Sequence, residues 1–455
     1  MLKLRQLGWV CVWLCLAFGP VSARAADTNS LVWHKPTDRV DADVRDMALW
    51  PLLEKIASDA GWQVYVEPDT THTTSAKFKN LPSVEALRML FGDLNFALVP
   101  QTNAVPRLYV FRTERQNATQ LVRAPKPAAK HVANELLVKL KPGADIDTLA
   151  KLLGAKVVGR DDKLGIYRLQ FANADATDAA LARLQNNSDV LAVDYNYILD
   201  PPVIPQLLAN APVGPVSLTL DPATTGDPCN PVVGLIDTQV QSLGSQLDLF
   251  LLKPISVAGN AGTNTSTITH GTAMAETVLR AVSQSGGGSS SVRILSVDVY
   301  GADATTTSWN VALGIKAAVD NGATVLNLSL GGPSDSAVLD SVIRQAIAAG
   351  IPVYAAAGNQ PVSTPTYPAA ASGVIAVTAT QGGQLAPYAN FGSFVSLAMP
   401  GASVVYLGGQ PYLVQGTSPA TAYATGVAAG TKGADCLPWT QIQSAMQKKF
   451  AVPAK

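Results

Sequence analysis

From residue 229 onward, short apolar runs alternate with helix-patterned stretches, and this alternation restricts the fold more than any other feature of the chain. Val232-Val233-Gly234-Leu235-Ile236 is a continuous apolar run of the kind found in strands buried on both faces. Runs at 294–299, 324–330, 351–356 and 374–378 repeat the type. Between them, Trp309 to Val319 predicts a helix closed by Asn321-Gly322. Ser334 to Ala349 predicts another, with Val338, Leu339, Val342, Ile343, Ala346 and Ile347 on one face and Gly350 as its stop. Strands alternating with helices imply an α/β fold, a mostly parallel sheet sandwiched by helices. Ligands of such sheets bind beyond the carboxyl ends of the strands.

Two small α+β domains are expected before this one. Residues 1–25 read as a signal peptide: Lys3 and Arg5, an apolar stretch from Leu7 to Phe18, then Ala23-Arg24-Ala25. Export to the periplasm or medium follows as an expectation. In residues 26–112, Ala48 to Gly61 is helical, Trp62 to Val66 alternates as a strand, Ser83 N-caps a helix to Phe91, and Arg107 to Phe111 closes as a strand. This order resembles the short N-terminal domain of secretins and TonB-dependent receptors, which implies an envelope protein as partner. Residues 113–132 read as a linker. In 133–200, strands at 135–140, 165–169 and 190–193 flank helices at 145–153 and 178–184. Residues 201–228, with seven prolines, read as an extended, exposed linker to a domain at 229–455. Lys+Arg and Asp+Glu both number 33, so no net field favours nucleic acid.

Chemistry enters through a count. Of the four histidines, His34, His72, His131 and His270, only His270 lies beyond residue 228, so it is the one imidazole available to that domain. It opens Thr269-His270-Gly271-Thr272, ahead of a small-residue helix. Asp237 directly follows the first apolar strand, where a carboxylate can orient a histidine. Ser418 sits in Gln415-Gly416-Thr417-Ser418-Pro419-Ala420 at a helix start, whose N–H groups favour a developing anion. Asn359 ends Ala355-Ala356-Ala357-Gly358-Asn359, just past another strand, with an amide able to donate to an oxyanion. Each residue also has a structural alternative: a turn or cap role for Asp237, an N-cap for Ser418, a turn for Asn359, and a core role for the lone histidine.

Taken together, Val-Val-Gly-Leu-Ile-Asp237-Thr, His270-Gly-Thr, Ser329-Leu-Gly-Gly-Pro333, Ala-Ala-Ala-Gly-Asn359, Tyr367-Pro-Ala and Gly-Thr-Ser418 resemble the subtilases over nearly all of 229–435. The resemblance implies a serine endopeptidase with Asp237, His270 and Ser418 as triad and Asn359 in the oxyanion hole. It implies a substrate-binding stretch at Ser329, Leu330 and Gly331, and a pocket wall at Ala355, Ala356 and Gly358. It also makes 133–200 similar to the inhibitory propeptide of the family, so the substrate is protein or peptide and the domain's own propeptide is a partner. Hydrolysis is not distinguished from transpeptidation. The sequence departs from the family at Gln239, at Ala273-Met274-Ala275-Glu276 and at Pro419, and the loop after Asn359 is short. These departures motivate one alternative, a catalytically degenerate envelope scaffold. Cys229 and Cys436, the two cysteines outside the leader, flank the last domain and suggest a disulfide. No metal site or other cofactor is expected; the sequence holds no convincing calcium-ligand cluster, and calcium dependence stays open.

Overall fold

The computed structural model describes residues 29–453 except 35–36, 102–103, 123–129, 201, 209–217, 219, 224–228, 243–245, 261–266 and 287. The leader at 1–25 and part of the proline-rich 201–228 stretch lie outside the described residues. The chain divides into two compact units, one of Met1–Val99 with Arg107–Ala124 and one of Pro100–Pro106 with Pro125–Lys455.

The first unit contains β1 (Ser30–His34), β2 (Arg39–Ala48), α1 (Leu49–Ala60), β3 (Gln63–Val66), β4 (Thr73–Pro82), α2 (Ser83–Phe91), β5 (Asn95–Gln101), β6 (Ala104–Phe111) and β7 (Gln120–Val122). It has two sheets, ordered β1-β2-β4 and β5-β6-β3-β7. Leu52, Leu53 and Ile56 of α1 and Leu87, Leu90 and Phe91 of α2 fill its core. The expected helix, strand, helix and strand are present as α1, β3, α2 and β6, but the β1-β2-β4 sheet was not foreseen. Ser83 is not the N-cap: Pro82 holds that position, and the Ser83 hydroxyl donates to Asp38 Oδ1 at 2.5 Å. The expected linker also contains β7, which pairs antiparallel with β3, so the sheet extends past residue 112.

The second unit opens with β8 (His131–Leu140), α3 (Ile146–Leu153), β9 (Lys156–Asp161), β10 (Ile166–Gln170), α4 (Ala174–Leu184) and β11 (Val190–Leu199). This βαββαβ domain has the strand order β11-β8-β10-β9, the ferredoxin-like arrangement. Asp145 and Asn173 N-cap its helices, each accepting a backbone N–H at 2.9 Å.

The remaining elements are β12 (Gln206–Leu207), β13 (Asp221–Pro222), β14 (Val232–Asp237), β15 (Ile255–Ser256), α5 (His270–Gly286), β16 (Ser289–Ser290), β17 (Arg293–Asp298), β18 (Thr306–Thr307), α6 (Ser308–Asp320), β19 (Val325–Leu328), α7 (Ala337–Ala348), β20 (Val353–Ala356), β21 (Ile375–Gln381), β22 (Gln384–Leu385), β23 (Leu397–Pro400), β24 (Ala402–Leu407), β25 (Gln410–Gln415), α8 (Thr417–Asp435) and α9 (Trp439–Lys449). The main sheet runs β15-β17-β14-β19-β20-β21-β22, with β23 also on β21, and every pair is parallel except β21–β22. Helices α5, α8 and α9 share one apolar cluster with the sheet, and α6 and α7 share the other. A Cβ on Gly426 of α8 would lie 2.4 Å from the Val278 carbonyl of α5, so glycine there sets how closely the two helices approach. Cys229 and Cys436 form a disulfide with Cα atoms 5.5 Å apart. Of the expected extended, exposed linker, Gln206, Leu207 and Asp221 are exposed, but the segment is also pinned by short pairings, β12 with β25 and β13 with β16.

The βαββαβ domain caps two helices of its neighbour. Asp194 Oδ2 of β11 accepts from Val338 N (2.9 Å) and Ser336 Oγ (3.2 Å) at the start of α7. Asn196 Oδ1 accepts from Trp309 N at 3.2 Å at the start of α6. Burial pushes up the Asp194 carboxyl, while burial and then Asp335 push Asp340 in the first turn of α7 up to about 6. A folded-state value above the ordinary 3.8 adds stability that is full below that pH and lost as pH rises through about 6. The melting temperature of the intact chain should therefore fall from about pH 4 to pH 7, and Asp340→Asn should flatten that slope. Identical slopes in the two proteins would refute this.

Candidate active site

Asp237 ends β14 and His270 begins α5, so the fold sets a carboxylate at a strand's carboxyl end against the first residue of a helix. His270 Nδ1 donates to Asp237 at 2.8 Å from Oδ1 and 2.9 Å from Oδ2. The pair is sealed from solvent, with Asp237 1% and His270 4% exposed. Asp237 Oδ1 also accepts the Thr238 N–H at 2.7 Å, which fixes the carboxylate. The helix start is clamped by Thr238 Oγ1, which accepts Gly271 N–H, and by Gln241 Oε1, which accepts Thr269 N–H, each at 2.8 Å. A Cβ on Gly271 would sit 2.1 Å from the Thr238 carbonyl, so only glycine fits there. His270 Nε2 is buried with no hydrogen-bond partner, leaving it open to accept a proton. The other histidines are placed structurally: His34 on Asp41, His72 on the Leu90 carbonyl, and His131 stacked on Tyr195.

Ser418 lies in the first turn of α8. Its hydroxyl donates to the Ser329 carbonyl at 3.1 Å, while Ser329 Oγ donates to the Ser418 carbonyl at 3.0 Å. Asn327 Nδ2 donates to Ser329 Oγ, and Thr425 Oγ1 to Asn327 Oδ1, each at 2.9 Å. This buried chain ties the turn that carries Ser418 to β19. Asn359 Oδ1 accepts from Thr417 N (2.8 Å) and Oγ1 (3.1 Å), which leaves its Nδ2 as the donor end. Among the described residues, no group of His, Cys, Asp and Glu is placed to hold a metal ion.

The subtilase family model matches residues 229–451, and the model of the fervidolysin N-terminal prodomain matches 117–196. Subtilisin DY of Bacillus licheniformis is 34% identical over 209 residues, 44% of this chain and 76% of that protein. The chain belongs to the subtilase family. Subtilisin BL of Lederbergia lenta is 35% identical over 179 residues, 38% of this chain and 66% of that protein, so the chain spans just under two thirds of its length. The fold is shared with the crystal structure of fervidolysin from Fervidobacterium pennivorans, at TM-score 0.54 and 20% identity, over 70% of this chain and 57% of that one.

In this subtilase the departures from the family pattern are absorbed structurally. Glu276 Oε2 accepts the Tyr406 N–H at 2.8 Å and its other oxygen pairs with Arg280, so the buried acid pins α5 to β24. Burial raises its carboxyl above the usual range. Pro419 is buried in the first turn of α8, where no N–H is needed. Neither disturbs the Asp237–His270 pair; the Ser418 hydroxyl donates to the Ser329 carbonyl and not to His270 Nε2, and the family match gives no support to a degenerate scaffold. Gly331 faces the end of the βαββαβ domain, its O accepting Asp200 N–H at 3.3 Å, while Ser329 bonds Ser418 and Asn327. Leu330 and Ala355 belong instead to the core cluster shared with α6 and α7. The Ala355 side chain is therefore packing, not pocket wall; Ala356 is buried too, at 5% exposure. Tyr300, which the sequence does not single out, has a buried, unpartnered hydroxyl that burial, and then Asp237 and Asp200, push up.

Asn359 gives a prediction of its own. Asn359→Asp keeps the acceptor for Thr417 but replaces the donor, and kcat should fall by about 10²–10³, a range measured on the corresponding amide of subtilisin itself. Asn359→Ala also loses the Thr417 bonds and should additionally lower the melting temperature. Steady-state kinetics with unchanged turnover in Asn359→Asp would remove Nδ2 from the oxyanion role.

Proposed function

We propose that this chain is the precursor of a serine endopeptidase. What carries the reading is the His270 imidazole, held at Nδ1 by a buried carboxylate and left without a partner at Nε2. Ser418 attacks the peptide carbonyl, His270 takes the proton and returns it to the leaving amine, and Asp237 holds the productive tautomer. Asn359 Nδ2 and the Ser418 N–H stabilise the oxyanion. Residues 133–200 act as an inhibitory propeptide, supported by the prodomain match and by the two helix caps. Labelling by a fluorophosphonate probe, together with cleavage of a denatured protein substrate, tests this; a folded chain that is matured yet neither labels nor cleaves would refute it.

The leader at 1–25 supports export to the periplasm or medium, tested by fractionating cells that express the full chain. We also propose that the N-terminal module binds an envelope protein, a reading supported by the resemblance of its α1, β3, α2 and β6 segments to the short N-terminal domain of secretins and TonB-dependent receptors. Crosslinking of the full chain in cells tests that assignment, and a pattern unchanged by Trp50→Glu on its exposed surface would count against it.

A further inference from the structure

The end of the propeptide-like domain lies between Gly331-Gly332 on one side and Thr306-Thr307 on the other. A Cβ on Gly332 would lie 3.8 Å from the Ile198 carbonyl and from Leu199 Cα, and Gly331 O accepts Asp200 N–H. Leu199 and Ile198 pair antiparallel with Thr306 and Thr307 on the opposite wall. As the chain advances from 198 to 200, the facing strand recedes from 332 to 331, so the two run antiparallel. The same antiparallel register, extended by two residues, would bring Pro202 opposite Ser329. Beyond it, Gln206 and Leu207 pair with Leu413 and Tyr412 of β25, the strand that leads into Ser418. The segment is therefore fixed at Asp200 and again at Gln206.

The Ser329 carbonyl is the atom on which the Ser418 hydroxyl rests. An ordinary residue opposite Ser329 would offer a backbone N–H to that carbonyl, displace the hydroxyl and release it toward His270 Nε2. Proline has no N–H. We propose that Pro202–Val203 is the bond this chain presents to Ser418, and that Pro202 makes the precursor a slow substrate of its own site by leaving the nucleophile parked on Ser329. The proposal rests on the endopeptidase reading above. In the step itself, Ser418 Oγ bonds to the Pro202 carbonyl carbon and its proton passes to His270. That proton moves to the Val203 nitrogen as the C–N bond breaks, and water then hydrolyses the ester.

The test compares the intact chain with Pro202→Ala. The variant is expected to process itself about tenfold faster, the effect of restoring one hydrogen bond, and to yield a product beginning at Val203. Both matured proteins should hydrolyse an unrelated substrate equally. Equal processing rates, or a first cut elsewhere, overturn the proposal. Should the variant fold poorly, peptides spanning 196–208 with Pro, Ala or N-methyl-Ala at position 202 are offered to matured wild-type enzyme. N-methyl-Ala cut as slowly as Pro supports the missing N–H as the cause, and N-methyl-Ala cut as fast as Ala overturns it. Absence of fluorophosphonate labelling in every form overturns the endopeptidase reading and the proposal together; equal rates with labelling intact overturn the proposal alone.

Discussion

A Ser418→Ala chain is expected to remain full length and to lose turnover by about 10⁶, a loss already measured on removing the serine of subtilisin itself. The size follows from losing the acyl-enzyme route altogether, since His270 and Asp237 have nothing left to activate. Stability should change little. The substitution removes one donor, the bond from Ser418 Oγ to the Ser329 carbonyl, worth roughly 0.5–1.5 kcal/mol net. Gel mobility, active-site labelling and a melting curve on the same preparation give the result. A variant that processes itself at the parental rate would remove Ser418 from the mechanism.

Asp237→Asn should lower kcat by about 10⁴ while leaving the fold intact, the loss measured for the same exchange in the trypsin triad. Asparagine matches aspartate in shape and can still accept the Thr238 N–H. It cannot stabilise an imidazolium, and its amide turned toward Nδ1 would favour the wrong tautomer. Because the pair is buried, solvent supplies no substitute. A drop in KM-linked binding with kcat preserved would mean that Asp237 shapes the cleft rather than orienting His270.

The main sheet was legible because its strands are buried on both faces and so read as unbroken apolar runs, with Gly350 marking where a helix stops. The candidate site was legible because polar residues interrupt that pattern at strand ends, and because one histidine had no rival in its domain. Strands of the first unit were harder. In β2, Val40, Ala42 and Val44 alternate with Asp41, Asp43 and Arg45, a two-residue period that was available to be read. In β4, Thr74 is buried where an apolar residue would be looked for, so the period is hidden. In the second unit, β9 turns Val158 outward and has only Val157 packed on the core. The clamp of Thr238, Gln241 and Thr417 around the site had no sequence signal, because threonine and glutamine are common in turns and only their partners reveal the role. Nor could periodicity show that Leu330 and Ala355 turn away from the cleft into the core.

The disulfide closes a loop of 207 residues, and in the chain-entropy model this stabilises the folded state by about 5 kcal/mol. A second consequence concerns wear. On the peptidase reading proposed above, each molecule is exposed to its own kind, and its surface loops are the bonds most easily reached. A break anywhere between Cys229 and Cys436 leaves two polypeptides joined by a covalent tie at the base of the domain. The nicked molecule would travel as one body until a thiol reductant parts it, so injury to a loop does not become dissociation.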